Sequence, residues 1–260
     1  MIMAVNDNIG RFNLKSIINW KTFFILLIAC VLTSLLIIPF QIGLSPALAD
    51  FGAMLYVIAF VQGLIVFSIA TFFGLIFAQK VGFGLPVLEG EHKLESLKAI
   101  LTPSILWGLL SGVLITLCAI PFGARSLELM AAELAVPVWA RFFSLFYGGI
   151  AEEVLLRLFV MSLLAWILMK IKVPKNTSIW AAIILSAILF GLGHLPITSA
   201  LTTITADIVA RAVLLNGIGA IIFSLLYWKK GLESAMIAHF SADIVLRFIA
   251  PLVATLLLSF

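Results

Sequence analysis

The chain has 260 residues, of which 63% are hydrophobic and 11% charged, and its mean hydropathy is +1.25. A soluble domain carries about a quarter charged residues, and one of this length could not hide so much apolar surface from water. The composition excludes a water-soluble enzyme, a nucleic-acid binder and a disordered chain, and it implies a bilayer as solvent.

Residues 1–21 read as a cytoplasmic arm carrying Arg11, Lys15 and Lys21. A crossing helix needs about 20 mostly apolar residues. On that rule spans are expected at 22–40, 51–79, 99–120, 138–169, 178–195, 207–228 and 233–257. Ala47-Leu48-Ala49 resembles a signal-peptidase site, but the run before it is longer than a signal core, so a retained first helix is expected. Pro251 should kink or divide the last span, which makes the count seven or eight. Residues 22–121 form an N-terminal set of transmembrane helices and 122–260 a C-terminal helical core. The fold class is an all-α polytopic membrane bundle.

The excess of Lys and Arg, +4 with a pI near 9.2, is topological. Lys80, Lys93 and Lys98 lie in the second connection, Lys170, Lys172 and Lys175 in the fourth, and Lys229 and Lys230 in the sixth. The intervening connections hold none, Arg125 with Arg141, and at most Arg211. That alternation places the N-terminus in the cytoplasm by the positive-inside rule. His92, among Glu89, Glu91, Lys93 and Glu95, reads as a solvated loop histidine. Cys30 and Cys118 sit in apolar runs and read as small hydrophobes rather than a disulfide. Gly108 and Gly112 permit close helix packing.

Ionisable groups inside a bilayer are costly and by default mark a site. Three clusters stand in the C-terminal spans. In Glu152-Glu153-Val154-Leu155-Leu156-Arg157, Glu153 and Arg157 share one helix face and can pair, while Glu152 points about 100° away and stays available. Phe190 and His194 share a face at the end of the fifth span, before Pro196. His239 and Asp243 stand one turn apart in the last span, with Arg247 a turn further. The bland readings are an interhelical clamp, a headgroup-level histidine and a structural pair. They leave unexplained why the first three spans hold almost no such residue.

Carboxylates and imidazoles suit the activation of water, either by a glutamate base with a histidine partner or through a zinc ion held by the same groups. There is no His-Glu-x-x-His and no Gly-x-Ser-x-Gly, and Ser241 lacks a placed base. Glu152-Glu153-x-x-x-Arg157, Phe190-x-x-x-His194 and His239-x-x-x-Asp243 resemble, in order and spacing, the three motifs of the CAAX-protease and bacteriocin-processing (Abi) family, over roughly residues 138–250. The resemblance implies an intramembrane peptidase akin to the type II prenyl-protein endopeptidases. It implies catalytic roles for Glu152, Glu153, Arg157, His194, His239 and Asp243: Glu152 activates water, Glu153 and Arg157 organise the site, and His194 is the second catalytic group. His239 and the residue four further on stabilise the oxyanion. That residue is asparagine in the family pattern; an ionised Asp243 can only accept hydrogen bonds. If a metal is used, zinc for instance, its ligands would be Glu152, His194, His239 and Asp243.

The implied partners are a peptide or lipidated protein substrate and the lipid bilayer, with no nucleic acid and a homo-oligomer left open. The expected location is the plasma membrane of a prokaryotic cell. The competing readings are a non-catalytic membrane scaffold and, with less support, a proton-coupled transporter, against which the missing inverted repeat argues. Ideal helix rise sets Glu152 roughly 27 Å from Lys170 and His194 roughly 24 Å from Ser178, yet His239 only roughly 14 Å from Lys230. Tilt, a broken helix around Gly191–Pro196 or a shifted start to the last span would close the gap.

Overall fold

The computed structural model describes residues 18–252; Arg11, Lys15 and the end of the last expected span lie outside them. The described residues are helical, with no strand among them, as expected where the solvent offers the backbone no hydrogen bonds. The helices are α1 (Trp20–Leu36), α2 (Ile38–Leu44), α3 (Ala53–Val81), α4 (Lys93–Ala119), α5 (Gly123–Ala135), α6 (Val138–Phe146), α7 (Ser162–Lys170), α8 (Lys175–Gly193), α9 (Leu195–Ser199), α10 (Ala206–Lys230) and α11 (Leu232–Ile244). Among the described residues six stretches are long and apolar enough to cross a membrane: Trp20–Leu44, Ala53–Val81, Lys93–Phe122, Lys175–Ser199, Ala206–Lys230 and Leu232–Leu252. Each overlaps an expected span. Phe24, Ile28, Val57, Val61 and Leu106 stay exposed on their outer faces, where lipid rather than water is the neighbour.

The remaining expected span departs from a regular α-helix. Between α6 and α7 the chain winds as two π-helical stretches, Tyr147–Glu152 and Val154–Met161. The wider winding falls where Gly148 and Gly149 offer no side chain of their own and where Glu152, Glu153 and Arg157 must all turn inward. π-bulges of this kind gather at functional sites. We refer to Val138–Lys170 as the site helix. The last span is also mixed: α11 ends at Ile244 and a π stretch, Val245–Ile249, precedes Pro251. Pro251 perturbs the winding ahead of it rather than starting a separate span.

Two close approaches fix where α11 sits. A Cβ on Gly108 would lie 2.2 Å from the Ala238 carbonyl, and one on Gly112 would lie 2.6 Å from Cβ of Val245. The small-residue pair thus lets α4 lie directly against α11, as its spacing suggested. At the other end, Gly231 has φ +98° and a Cβ there would meet Pro86 at 2.2 Å, so only glycine fits. The segment from Phe83 to Leu88 folds beneath this turn: Leu232 N donates to Gly84 O at 3.1 Å, and Val87 N and Leu88 N donate to Glu233 at 3.1 and 2.8 Å. Phe83 and Leu85 are buried there, with Phe83 packed edge-on to Tyr227. The start of α11 is covered by polypeptide, which accounts for the shorter distance from Lys230 to His239.

The smaller expectations fare as follows. His92 is exposed and lies 3.9 Å from Glu95. Both cysteines are free; Cys30 is buried, Cys118 only half-buried. The third connection is not a plain loop, because α5 occupies it as an amphipathic helix.

Candidate active site

The site helix, α8, α10 and α11 bring the flagged residues around one imidazole. His239 Nδ1 donates to Glu153 Oε1 at 2.7 Å, since an ionised carboxylate can only accept. The same oxygen lies 3.1 Å from Arg157 Nη1. Glu153 and Arg157 are 0% and 1% exposed, so the pair is intrahelical as spacing indicated, and it is also the anchor of a histidine from another helix. His239 Nε2 faces the opposite way. It lies 3.8 Å from Glu152 Oε2 and 3.9 Å from Asp243 Oδ1. Both separations exceed hydrogen-bond reach, so Nε2 and the two carboxylates keep capacity for a third group.

The sequence treated Glu152 as a spare carboxylate pointing away from Glu153. The structure keeps it half-buried and turns it to the same ring from the other side. His194 caps α8, half-buried, and its Nδ1 donates to the Phe190 carbonyl at 2.9 Å. That bond leaves Nε2 as the free nitrogen. The Phe190 ring touches both histidines, with centroids 4.7 Å from His194 and 5.8 Å from His239. One aromatic ring therefore spaces the two imidazoles.

Phe223 of α10 belongs to the site and escaped the sequence reading. It stacks on His239 at 4.6 Å and 19°, and the Arg157 guanidinium lies over Phe190 and Phe223 at 4.8 and 5.4 Å. Nothing distinguishes Phe223 from the other apolar residues of its span. Arg141 and Glu233, 8% and 9% exposed, are two further buried charges. In the sequence Arg141 counts as a cation of the third connection, and nothing there singles out Glu233. Asp243 also reaches Arg247, Oδ2 to Nε at 3.5 Å.

Gly148 shows how tightly the site is drawn. A Cβ there would stand 2.8 Å from Asp243 Oδ2 and 3.2 Å from His239 Nε2. Gly148→Ala is expected to leave thermal stability within about 1 kcal/mol, since alanine favours helix over glycine. Its methyl should nevertheless displace the Asp243 and His239 tips. An ångström-scale misplacement lowers a rate by up to about a hundredfold, so any hydrolytic turnover at this site should fall at least tenfold. Undiminished turnover in a folded Gly148→Ala would mean that this corner does not face the reaction.

Among the described residues no three His, Cys, Asp or Glu side chains gather as a ligand group for the zinc considered above.

Residues 134–245 match the family model described as Rce1-like, type II CAAX prenyl endopeptidase. Over those residues the chain is similar to the Rce1-like family. The match covers less than half of the chain and contains all six motif residues, from Glu152 to Asp243. No curated protein and no solved structure matches the chain. The apolar helices, with the match to a membrane-protease family model over residues 134–245, make this an integral, multi-pass membrane protein.

Proposed function

We propose that the protein is an intramembrane endopeptidase that hydrolyses a peptide bond of a membrane-associated or lipidated substrate with a water activated by Glu152. The observation that carries this reading is the clamping of His239 between Glu153, at 2.7 Å, and Glu152, at 3.8 Å. Glu153, neutralised by Arg157, holds the ring by Nδ1 and aims Nε2 at the space beside Glu152. Glu152 takes a proton from water as the oxygen attacks the substrate carbonyl. The negative charge forming on that carbonyl oxygen is met by Nε2–H of the doubly protonated His239. Asp243, an acceptor bonded to Arg247, does not supply the oxyanion donor; it flanks the ring and steadies its charge. His194, with Nδ1–H given to the Phe190 carbonyl, offers Nε2 to carry the proton to the leaving amine.

The test is incubation of the purified protein in detergent with prenylated peptides and leader peptides, with products read by mass spectrometry. Wild type should cut at least one, and Glu152→Ala and His194→Ala should cut none. Cleavage surviving in Glu152→Ala removes the mechanism. No cleavage of any peptide by wild type favours the non-catalytic scaffold. A chelator is expected to leave the rate unchanged, because the donor groups do not converge as a ligand set.

A further inference from the structure

One face of α3 is packed and the other is bare. On the packed face a Cβ at Gly74 would stand 2.9 Å from Cγ of Leu158 in the site helix, and one at Gly63 would stand 3.3 Å from Oγ of Ser34 in α1. On the bare face Val57, Ile58, Val61 and Ile65 are exposed. With Gln62 and Val66 they line a groove of about 480 Å³, and Gln62 is itself exposed.

The depth of Gln62 follows from the aromatic rings that gather at membrane edges. Trp20, next to Lys21, lies 6.3 Å from Phe72 of α3, and at the same end Lys80 lies over Trp166 at 5.2 Å. Gln62 is ten residues before Phe72, roughly 15 Å along the helix, or about half of a 30 Å hydrocarbon core. Tyr56, exposed towards the other edge, is roughly 9 Å away. Gln62 thus presents one carbonyl acceptor and two N–H donors to hydrocarbon. Its amide makes no hydrogen bond among the described residues. Other polar side chains of the spans close on their own helix: Asn216 Nδ2 donates to the Ala212 carbonyl and Thr116 Oγ1 to the Gly112 carbonyl, both at 2.8 Å. An unmet polar group in lipid is costly, and polar side chains there bind helix to helix.

A glutamine amide carries both halves of its own hydrogen bond. Two copies of one membrane protein cross in the same sense, so a twofold axis between them runs along the membrane normal. Across that axis α3 meets α3 in parallel, with equal residues at equal depth, and each Gln62 gives an N–H to the carbonyl of the other. Such a contact is isologous, one patch serving both sides. Ile58 and Ile65 stand one turn to either side of the amide, and β-branched residues hold a nearly fixed rotamer in a helix, so packing them costs little entropy. The bare face carries no Lys, Arg, Asp or Glu to select a partner of another chemistry.

We propose that the bare face of α3 is a homodimer interface within the bilayer, closed by a reciprocal hydrogen bond between Gln62 and the same residue of a second copy. Such pairing is independent of the peptidase reading and engages none of the residues around His239.

The test reconstitutes the full-length protein, with one fluorophore per chain, into phosphatidylcholine vesicles at increasing lipid-to-protein ratios and counts photobleaching steps. Wild type should bleach mainly in two steps at ratios where Gln62→Leu bleaches mainly in one, a weakening of dimerisation by about fivefold or more. Gln62→Asn, which keeps an amide, should retain part of the dimer. The melting temperature of Gln62→Leu should not fall below that of wild type, since the amide has no partner inside the chain. Oxidative cross-linking supplies the geometry with Gln62 intact. On a Cys118→Ala background that keeps the buried Cys30, Ile58→Cys or Ile65→Cys should give a covalent dimer, and Leu106→Cys on the exposed side of α4 should not. A wild type that is monomeric at every ratio, a dimer as tight in Gln62→Leu as in wild type, assemblies of three or more copies, or cross-linking at Leu106→Cys but not in α3 overturns the proposal. If Gln62→Leu melts early, the α3 cross-links decide. Dimers without any cleavage of peptide keep the interface and remove the peptidase reading; cleavage by a strictly monomeric protein does the reverse.

Discussion

Glu152→Gln is expected to lower the turnover number for peptide cleavage by about a hundred- to ten-thousandfold, the span a positioned general base contributes. Glutamine keeps the shape and the reach of the side chain but cannot take a proton from water. The melting temperature should stay within a few degrees of wild type. Glu152 holds no partner within hydrogen-bond distance, its side chain is 21% exposed, and its loss relieves crowding of three carboxylates around His239. The Michaelis constant should change little, since the group acts on water rather than on the substrate. A quenched prenylated peptide gives the kinetics, and a thermal melt in the same detergent gives the stability. Turnover within threefold of wild type would remove Glu152 as the base. A collapse of the melting temperature would make it a structural residue.

The contrast between Glu152 and Glu153 explains how far the sequence could be read. Their adjacency, with Arg157 four residues on, showed that one carboxylate would be paired and the other spare, because helix geometry decides it. The partner of the pair was not legible. His239 lies 86 residues away from Glu153, and no local spacing says which ring the buried carboxylate will hold. Phe223 was invisible for a related reason: a ring that stacks on an imidazole looks in sequence like any lipid-facing aromatic. The spans were legible because a bilayer demands length and apolarity, and composition displays both. The π winding was not, since it answers to the inward turn of three polar side chains rather than to any propensity. The cover beneath α11 depends on Gly231 and Glu233 meeting Phe83–Leu88 across the fold, again a long-range match.

The largest effect on stability should come from the other carboxylate. Glu153→Gln leaves Arg157, 1% exposed, without an anion, and breaking one side of a buried pair costs about 3–5 kcal/mol. Arg157→Met should cost less, because Glu153 still has His239 at 2.7 Å and methionine can fill the space between Phe190 and Phe223. The double substitution Glu153→Gln with Arg157→Met should regain much of the loss, since replacing a whole buried ion pair is often close to neutral. Detergent melts of the four proteins give the interaction term, expected at about 0.5–3 kcal/mol in favour of the double variant. Activity should not return with stability. With a neutral glutamine in place of Glu153, the negative charge facing Nδ1 of His239 is gone, so Nε2 no longer presents a charged donor to the oxyanion. A double variant that is both stable and active would make the Arg157–Glu153 pair a helix clamp and nothing more. Stable and inactive, it would separate the pair's structural work from its role in aiming His239.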